Sequence, residues 1–205
     1  MGSALRGNPS QPSGQELNGL LLVDKPSGLT SHDLVARVRR VAGTKACGHA
    51  GTLDPMATGL LLVLVGPATK LSAYLAESEK SYLGEIRLGL VTDTLDATGR
   101  TISAWPGPFP VRERVASALK QMEGPSEQVP PLFSAIKVNG QAAYKAARAG
   151  KELDLKPRPV TAFRLSLEAY EPPLATVTAM VSKGYYVRSM ARDLGLALGL
   201  GGGSL

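Results

Sequence analysis

Gly48-His49-Ala50-Gly51-Thr52-Leu53-Asp54-Pro55-Met56-Ala57-Thr58-Gly59 sets one carboxylate in a loop cut by glycine and proline. The apolar run Leu60-Leu61-Leu62-Val63-Leu64-Val65 follows it directly. Pro55 biases Asp54 toward an extended backbone and excludes a continuous helix through the loop. Gly48, Gly51 and Gly59 permit backbone angles, and a close approach by a ligand, that other residues resist. The run after Gly59 is short and bounded by Gly66-Pro67, so it reads as a buried strand. An acid held in a tight loop beside a rigid strand is a means of positioning a reactive group. A lone Asp-Pro also organises a turn through its own side chain, and the rest of the chain has to decide between the two.

Upstream, Gly19 to Pro26 reads as a short strand ended by proline. Thr30 or Ser31 can cap a helix from His32 to Ala42, with Leu34, Val35, Val38 and Val41 on one face and Gly43 as its stop. Its other face carries Arg37, Arg39 and Arg40, followed by Lys45; a solvated face and a phosphate-binding face are both open. Residues 1–18 are rich in Gly, Ser, Pro, Asn and Gln, a composition that cannot bury a core, and read as a disordered tail. They have neither the apolar centre of a secretory signal nor the arginine-rich pattern of a transit peptide, so the expected location is the cytoplasm.

Downstream, Lys80 to Leu90 alternates, with Tyr82, Gly84, Ile86, Leu88 and Leu90 facing one way and only Leu83 breaking the pattern. Residues 92–99 form a polar loop. Val111 to Glu123 places Val115, Leu119 and Met122 at helical spacing, with Gly124 as terminator. Residues 125–159 are proline-bounded and basic, with a turn signal at Asn139-Gly140 and an alanine-rich helix over 142–149. They read as an insertion projecting from the main sheet and suited to a phosphate backbone. Phe163, Leu165, Leu167 and Ala169 alternate in one strand, and Val177, Ala179 and Val181 in the next; a helix follows through Val187, Met190, Ala191, Leu194, Ala197 and Leu198. Strands outnumber helices and are interrupted irregularly, so the class is α+β with a mainly antiparallel mixed sheet and flanking helices.

Composition narrows the function. The 205 residues carry a net charge of +6, which favours an anionic partner such as nucleic acid. The single cysteine, Cys47, excludes an internal disulfide framework and reads as packing. His32 and His49 are the only histidines and belong to no ligand-spaced cluster, and neither a phosphate loop nor a dinucleotide fingerprint is present. Chemistry on a carboxylate, with no cofactor and no metal, is what these residues leave. No apolar stretch is long enough to cross a membrane as a helix.

Five segments, taken in order, resemble the TruB-type tRNA pseudouridine synthases. They are Val23-Asp24-Lys25-Pro26-Ser27-Gly28-Leu29-Thr30-Ser31, the Asp54 loop, Lys80-Ser81-Tyr82, Pro131-Leu132-Phe133-Ser134-Ala135-Ile136-Lys137-Val138-Asn139-Gly140, and Ser182-Lys183-Gly184-Tyr185-Tyr186-Val187-Arg188 with its continuation to Gly195. Each is modest alone; together they span nearly everything after the tail. The resemblance implies isomerisation of uridine-55 in the T-loop of tRNA, on one catalytic domain over 19–205 whose insertion at 125–159 is thumb-like. It implies Asp54 as nucleophile, His49 displacing and stacking the substrate region, Tyr82 against the target base and Tyr186 lining its pocket. Arg188 would pair with Asp54 or with an RNA phosphate. The partner is the T-arm of tRNA, the protein a monomer, and no cofactor, metal or membrane is involved.

That chemistry suits the residues. The base must be detached at its glycosidic nitrogen, turned and rejoined through carbon, so it has to leave the stack. A carboxylate can form a covalent intermediate that divides the reaction, whether at the ring or at the sugar. Taken singly, Tyr82 and Tyr186 fit a core, and Arg188 with Arg192 fits a solvated helical stripe. Tyr185 stands where the resemblance expects threonine. The sequence ends at Leu205, where it leads one to expect a pocket leucine, paired arginines and a small RNA-binding domain. A catalytically idle RNA-binding protein or an inactive fragment is the alternative to an active synthase.

Overall fold

A computed structural model describes residues 17–134, 136–138, 141–142 and 155–205. The chain divides into two compact units, Met1–Ala76 and Glu77–Leu205.

In the first unit, β1 (Gly19–Lys25), β2 (Cys47–His49) and β3 (Gly59–Val65) form an antiparallel sheet in the order β1-β3-β2. The apolar run after Gly59 is thus its central strand, with Leu61, Val63, Leu64 and Val65 buried and Leu60 exposed at its start. Helix α1 (Ser31–Ala42) packs Leu34 and Val35 against Leu61, Val63 and Val65, and Cys47 fills space in the same cluster, as the packing reading expects. Burying a side chain of this kind contributes roughly 1.5–3 kcal/mol.

Both ends of α1 are closed as the sequence indicates. Thr30 is the N-cap: its hydroxyl accepts from the Asp33 N–H, while the Asp33 carboxylate accepts from the Thr30 N–H, a reciprocal capping box. Gly43 takes the left-handed conformation at φ 63°, and its N–H donates to the Arg39 carbonyl. Val41, expected on the packed face, is 90% exposed. Arg39, expected outside with Arg37 and Arg40, turns in and donates from Nη2 to the Cys47 carbonyl at 2.8 Å. A 3-10 segment, Gly66–Leu71, and the short α2 (Ser72–Ala76) complete the unit.

The second unit is built on an antiparallel sheet in the order β12-β4-β11-β10-β7. Its strands are β4 (Lys80–Leu88), β7 (Gly124–Gln128), β10 (Arg158–Glu171), β11 (Leu174–Val181) and β12 (Gly203–Ser204). β5 (Leu90–Thr92) and β6 (Thr101–Ala104) form a separate ribbon. Helices α3 (Arg112–Gln121) and α4 (Val187–Ala197) supply Val115, Leu119, Met190 and Leu194 to one core with Ile86, Leu88, Leu165 and Val177. The α+β class and the antiparallel arrangement are those expected.

Alternation along β11 is as read; along β4 it holds from Tyr82 to Leu88, with Leu83 exposed, but the strand ends there, because Gly89 turns the chain at φ 72° and Leu90 begins β5. β10 differs. Its inward residues are Val160, Ala162 and Leu165, and Phe163 is 43% exposed. Register shifts between Ala162 and Arg164 and between Leu167 and Ala169 reset the alternation, because an extra residue in one strand turns every later side chain to the other face. Gly124 does not end α3; Met122 is its C-cap and Gly124 opens β7.

The two flanks of the basic segment 125–159 are strands of the sheet, pairing Gly124–Gln128 with Arg158–Ala162. Between them β8 (Lys137–Val138) and β9 (Gln141–Ala142) pair antiparallel on either side of the expected turn. The helix expected over 142–149 falls, from 143 onward, outside the described residues, as does the tail over 1–16.

Gly195 matters for close approach. A Cβ there would overlap the backbone of Gly202, so only glycine lets α4 pass the strand that carries Gly203 and Ser204.

Candidate active site

The Asp54 loop is held by its backbone. Ser31, the first residue of α1, does not cap the helix; its hydroxyl accepts from the Leu53 N–H at 3.0 Å and donates to the Leu53 carbonyl at 3.2 Å. On the other side of Asp54, the Pro55 carbonyl accepts from the Gly28 N–H at 2.8 Å and from Lys25 Nζ at 3.1 Å. The Ala57 N–H closes a turn onto the Asp54 carbonyl at 3.1 Å. Asp54 is therefore fixed between two tethered peptides while its side chain stays partly accessible.

Lys25 went unmarked as a site residue in the sequence. It is fully buried, and its ammonium donates to the carbonyls of Pro26, Leu29 and Pro55. Burial holds its pKa below the usual lysine range, and the charge of Asp54 works against that shift. Its signals in the sequence are a lysine closing an apolar strand just before Pro26 and its place in the first of the five resembling segments.

His49 ends β2 opposite Val63. Its Nδ1 accepts from the Gly51 N–H at 3.4 Å, which leaves the proton of the neutral ring on Nε2. Desolvation lowers its pKa, with the charge of His32 adding to the effect, so the ring is neutral at physiological pH. His49 and Asp54 thus belong to one loop of the first unit.

The second unit carries Tyr82, Tyr186 and Arg188. Tyr82 lies on β4 opposite Ala179 and packs partly buried against the core. A Cβ on Gly84, two residues along the same face, would clash with Leu205 and lie in ordinary contact with Val187 of α4, so the start of that helix sits beside this stretch of β4. Tyr186 is the N-cap position of α4, where no side chain caps the helix. Its backbone is gripped instead by the buried Gln128: Oε1 accepts from the Tyr186 N–H at 2.8 Å and Nε2 donates to its carbonyl at 3.2 Å.

Arg188 is 4% exposed, not part of a solvated stripe. It donates to the carbonyls of Thr94 at 3.0 Å and Phe133 at 2.9 Å, and its Nη1 lies 3.5 Å from Asp96 Oδ2. The other Asp96 oxygen accepts from both hydroxyls of Thr94 and Thr98 and from the Thr98 N–H. The segment 92–99, read as a polar loop, therefore contains a buried acid aimed at Arg188. Nothing in residue type alone distinguishes Asp96 from Asp93, which pairs at the surface with Arg100. Arg192 is half-buried rather than solvated, pairing with its neighbour Asp193 at 2.8 Å and donating from Nη2 to the Val129 carbonyl at 3.2 Å.

Tyr185 is largely buried. Desolvation, together with the nearby Asp193 carboxylate, drives its pKa well above the usual phenol range, so it stays protonated. Lys80 donates to the Ser78 carbonyl at 2.8 Å; burial lowers its pKa and the Lys183 charge adds to that, against Glu77. A shallow depression lined by Pro125, Ser126, Glu127, Val160 and Lys183 holds none of the candidate residues. Among the described residues no cluster of His, Cys, Asp or Glu could hold a metal, and no helix is long and apolar enough to cross a membrane.

The model of the TruB family pseudouridylate synthase N-terminal domain matches residues 39–187, which takes in the Asp54 loop, Tyr82 and Tyr186 and ends one residue before Arg188. The chain belongs to this family. It is 49% identical over 193 residues to tRNA pseudouridine synthase B of Thermobifida fusca (strain YX), covering 90% of this chain and 66% of that protein. It is 46% identical over 187 residues to the protein of the same name from Opitutus terrae, covering 91% of this chain and 78% of that one. Among solved structures it resembles a chain of a Cbf5-Nop10-Gar1 complex, with TM-score 0.69 and 25% identity over 97% of this chain and 52% of the other. The chain thus spans about two thirds of the Thermobifida relative.

Proposed function

We propose that this TruB-family chain isomerises uridine to pseudouridine in tRNA, at uridine-55 of the T-loop, with Asp54 as nucleophile. The observation that carries the reading is the double tether of the Asp54 loop, to Ser31 on one side and to Lys25 and Gly28 on the other. A reacting carboxylate has to be held in place before its substrate arrives, and these tethers fix the backbone on both sides of it.

The remaining roles follow the chemistry of a splayed-out base. Tyr82 offers an aromatic face to the uracil and Tyr186 lines the pocket. Neutral His49 stacks in the place the base vacates without adding charge. Arg188 faces Asp54 or an RNA phosphate, held in either case by Asp96. The glycosidic bond between N1 and C1′ breaks, the uracil turns, and C5 bonds to C1′; C5 loses its proton and N1 gains one. Asp54 shares the barrier by bonding transiently to the substrate. The partner is the T-arm of tRNA, the protein acts as a monomer, and no cofactor enters the step.

The test is incubation with an unmodified tRNA transcript, with pseudouridine mapped by position. Product at uridine-55, absent from a transcript with cytidine there, supports the reading. Tight tRNA binding with no product would replace it with an RNA-binding protein that does no chemistry.

A further inference from the structure

Helix α1 does two separable things. Its inner face packs on β3 and Ser31 holds the Asp54 loop, while Arg37 and Arg40 stand exposed on its outer side, followed past the Gly43 cap by exposed Lys45. Exposed cations of this chain differ in their pairing. In the second unit, exposed Arg100, Lys120 and Lys183 each have a carboxylate partner, in Asp93, Glu123 and Glu77. Among the described residues, no ion pair involves Arg37, Arg40 or Lys45. The one acid on this side of the helix, Asp33, a turn before Arg37, is committed to the capping box, accepting from both the N–H and the hydroxyl of Thr30.

We propose that Arg37, Arg40 and Lys45 form a track for the phosphodiester backbone of the RNA whose base is presented to Asp54. This rests on the RNA-modifying reading above and adds where the strand runs. Because Ser31 ties the start of α1 to Leu53, the helix measures distance from the reacting loop. At 1.5 Å per residue, Arg37 stands about 9 Å and Arg40 about 13 Å along the axis from that anchor. Guanidinium groups on successive turns suit bidentate contacts to phosphates, and Lys45 extends the row as a point charge. Arg39 is excluded, since it is bonded to Cys47.

The test measures tRNA affinity against salt, using Asp54→Asn protein so that binding is read without turnover. Each phosphate contact contributes about 0.7–0.9 to the slope of log affinity against log salt. The triple variant Arg37→Ala/Arg40→Ala/Lys45→Ala should lose about tenfold or more in affinity near 0.1 M salt and lower that slope by about two to three. With Asp54 intact, the loss should fall on KM rather than kcat. Arg164→Ala, an exposed cation of the other unit, serves as the charge control and should leave slope and affinity as they are. A triple variant with unchanged slope and affinity overturns the track, as does a per-charge loss no greater than that of the control. If the native chain makes no pseudouridine while the triple variant still loses affinity and slope, the reaction fails and the track stands.

Discussion

Lys25 Nζ donates to the carbonyl of Pro55 at 3.1 Å, one peptide beyond Asp54. A buried ammonium is costly unless its donors are used, and here all three go to carbonyls of the two segments that frame the acid. The lysine thereby joins the end of β1 to the loop after β2.

Lys25→Met should leave those three carbonyls short of a donor. Chemical denaturation should show a loss of about 2–4 kcal/mol, since an orphaned buried acceptor costs its desolvation. Product formation should fall with it as the Asp54 loop loosens. An unchanged midpoint would remove the tether from the account.

Asp96→Asn should weaken the hold on Arg188, because both side chains are under a tenth exposed and lie 3.5 Å apart. Removing one member of a buried ion pair costs about 3–5 kcal/mol. A double-mutant cycle with Arg188→Met should return a coupling of about 0.5–3 kcal/mol. A coupling of zero would mean that the two do not act together.

Gln128→Leu should strip both partners from the Tyr186 backbone, lowering stability by about 1–3 kcal/mol. Gln128→Glu keeps the acceptor for the Tyr186 N–H and should recover part of that loss. Equal losses in both variants would contradict the two-bond grip.

His49 supplies a pH test. Burial lowers its folded pKa beneath the ordinary value of 6.5, so below that pH the unfolded chain binds the proton more readily. Its contribution is complete above pH 6.5 and is lost as pH falls from there through the folded pKa. Thermal melts between pH 7 and 5 should fall more steeply for the native chain than for His49→Gln; parallel curves would contradict this.

Local chemistry explains what the sequence makes legible. The cap at Thr30, the Gly43 stop and the run after Gly59 are decided by neighbours a few residues away, and they are legible. The register of β10 is not, because its two shifts depend on how β11 pairs with it and not on any local signal. Lys25, Asp96 and Gln128 were passed over for a related reason: each works on carbonyls, amides or charges distant in sequence, while its own residue type looks ordinary. Thr92 and Asp96 looked like surface loop residues, yet are buried beside Ser204, whose Oγ accepts from the Thr92 N–H at 3.1 Å. Helical spacing alone cannot tell the buried Arg188 guanidinium from a solvated one, so its burial is seen only in the structure.

The most direct measurement is single-turnover conversion of an unmodified tRNA transcript by the native chain and by Asp54→Asn, with binding checked in parallel. The account predicts pseudouridine from the native chain and none from Asp54→Asn at comparable tRNA affinity. Conversion by Asp54→Asn at the native rate would contradict it.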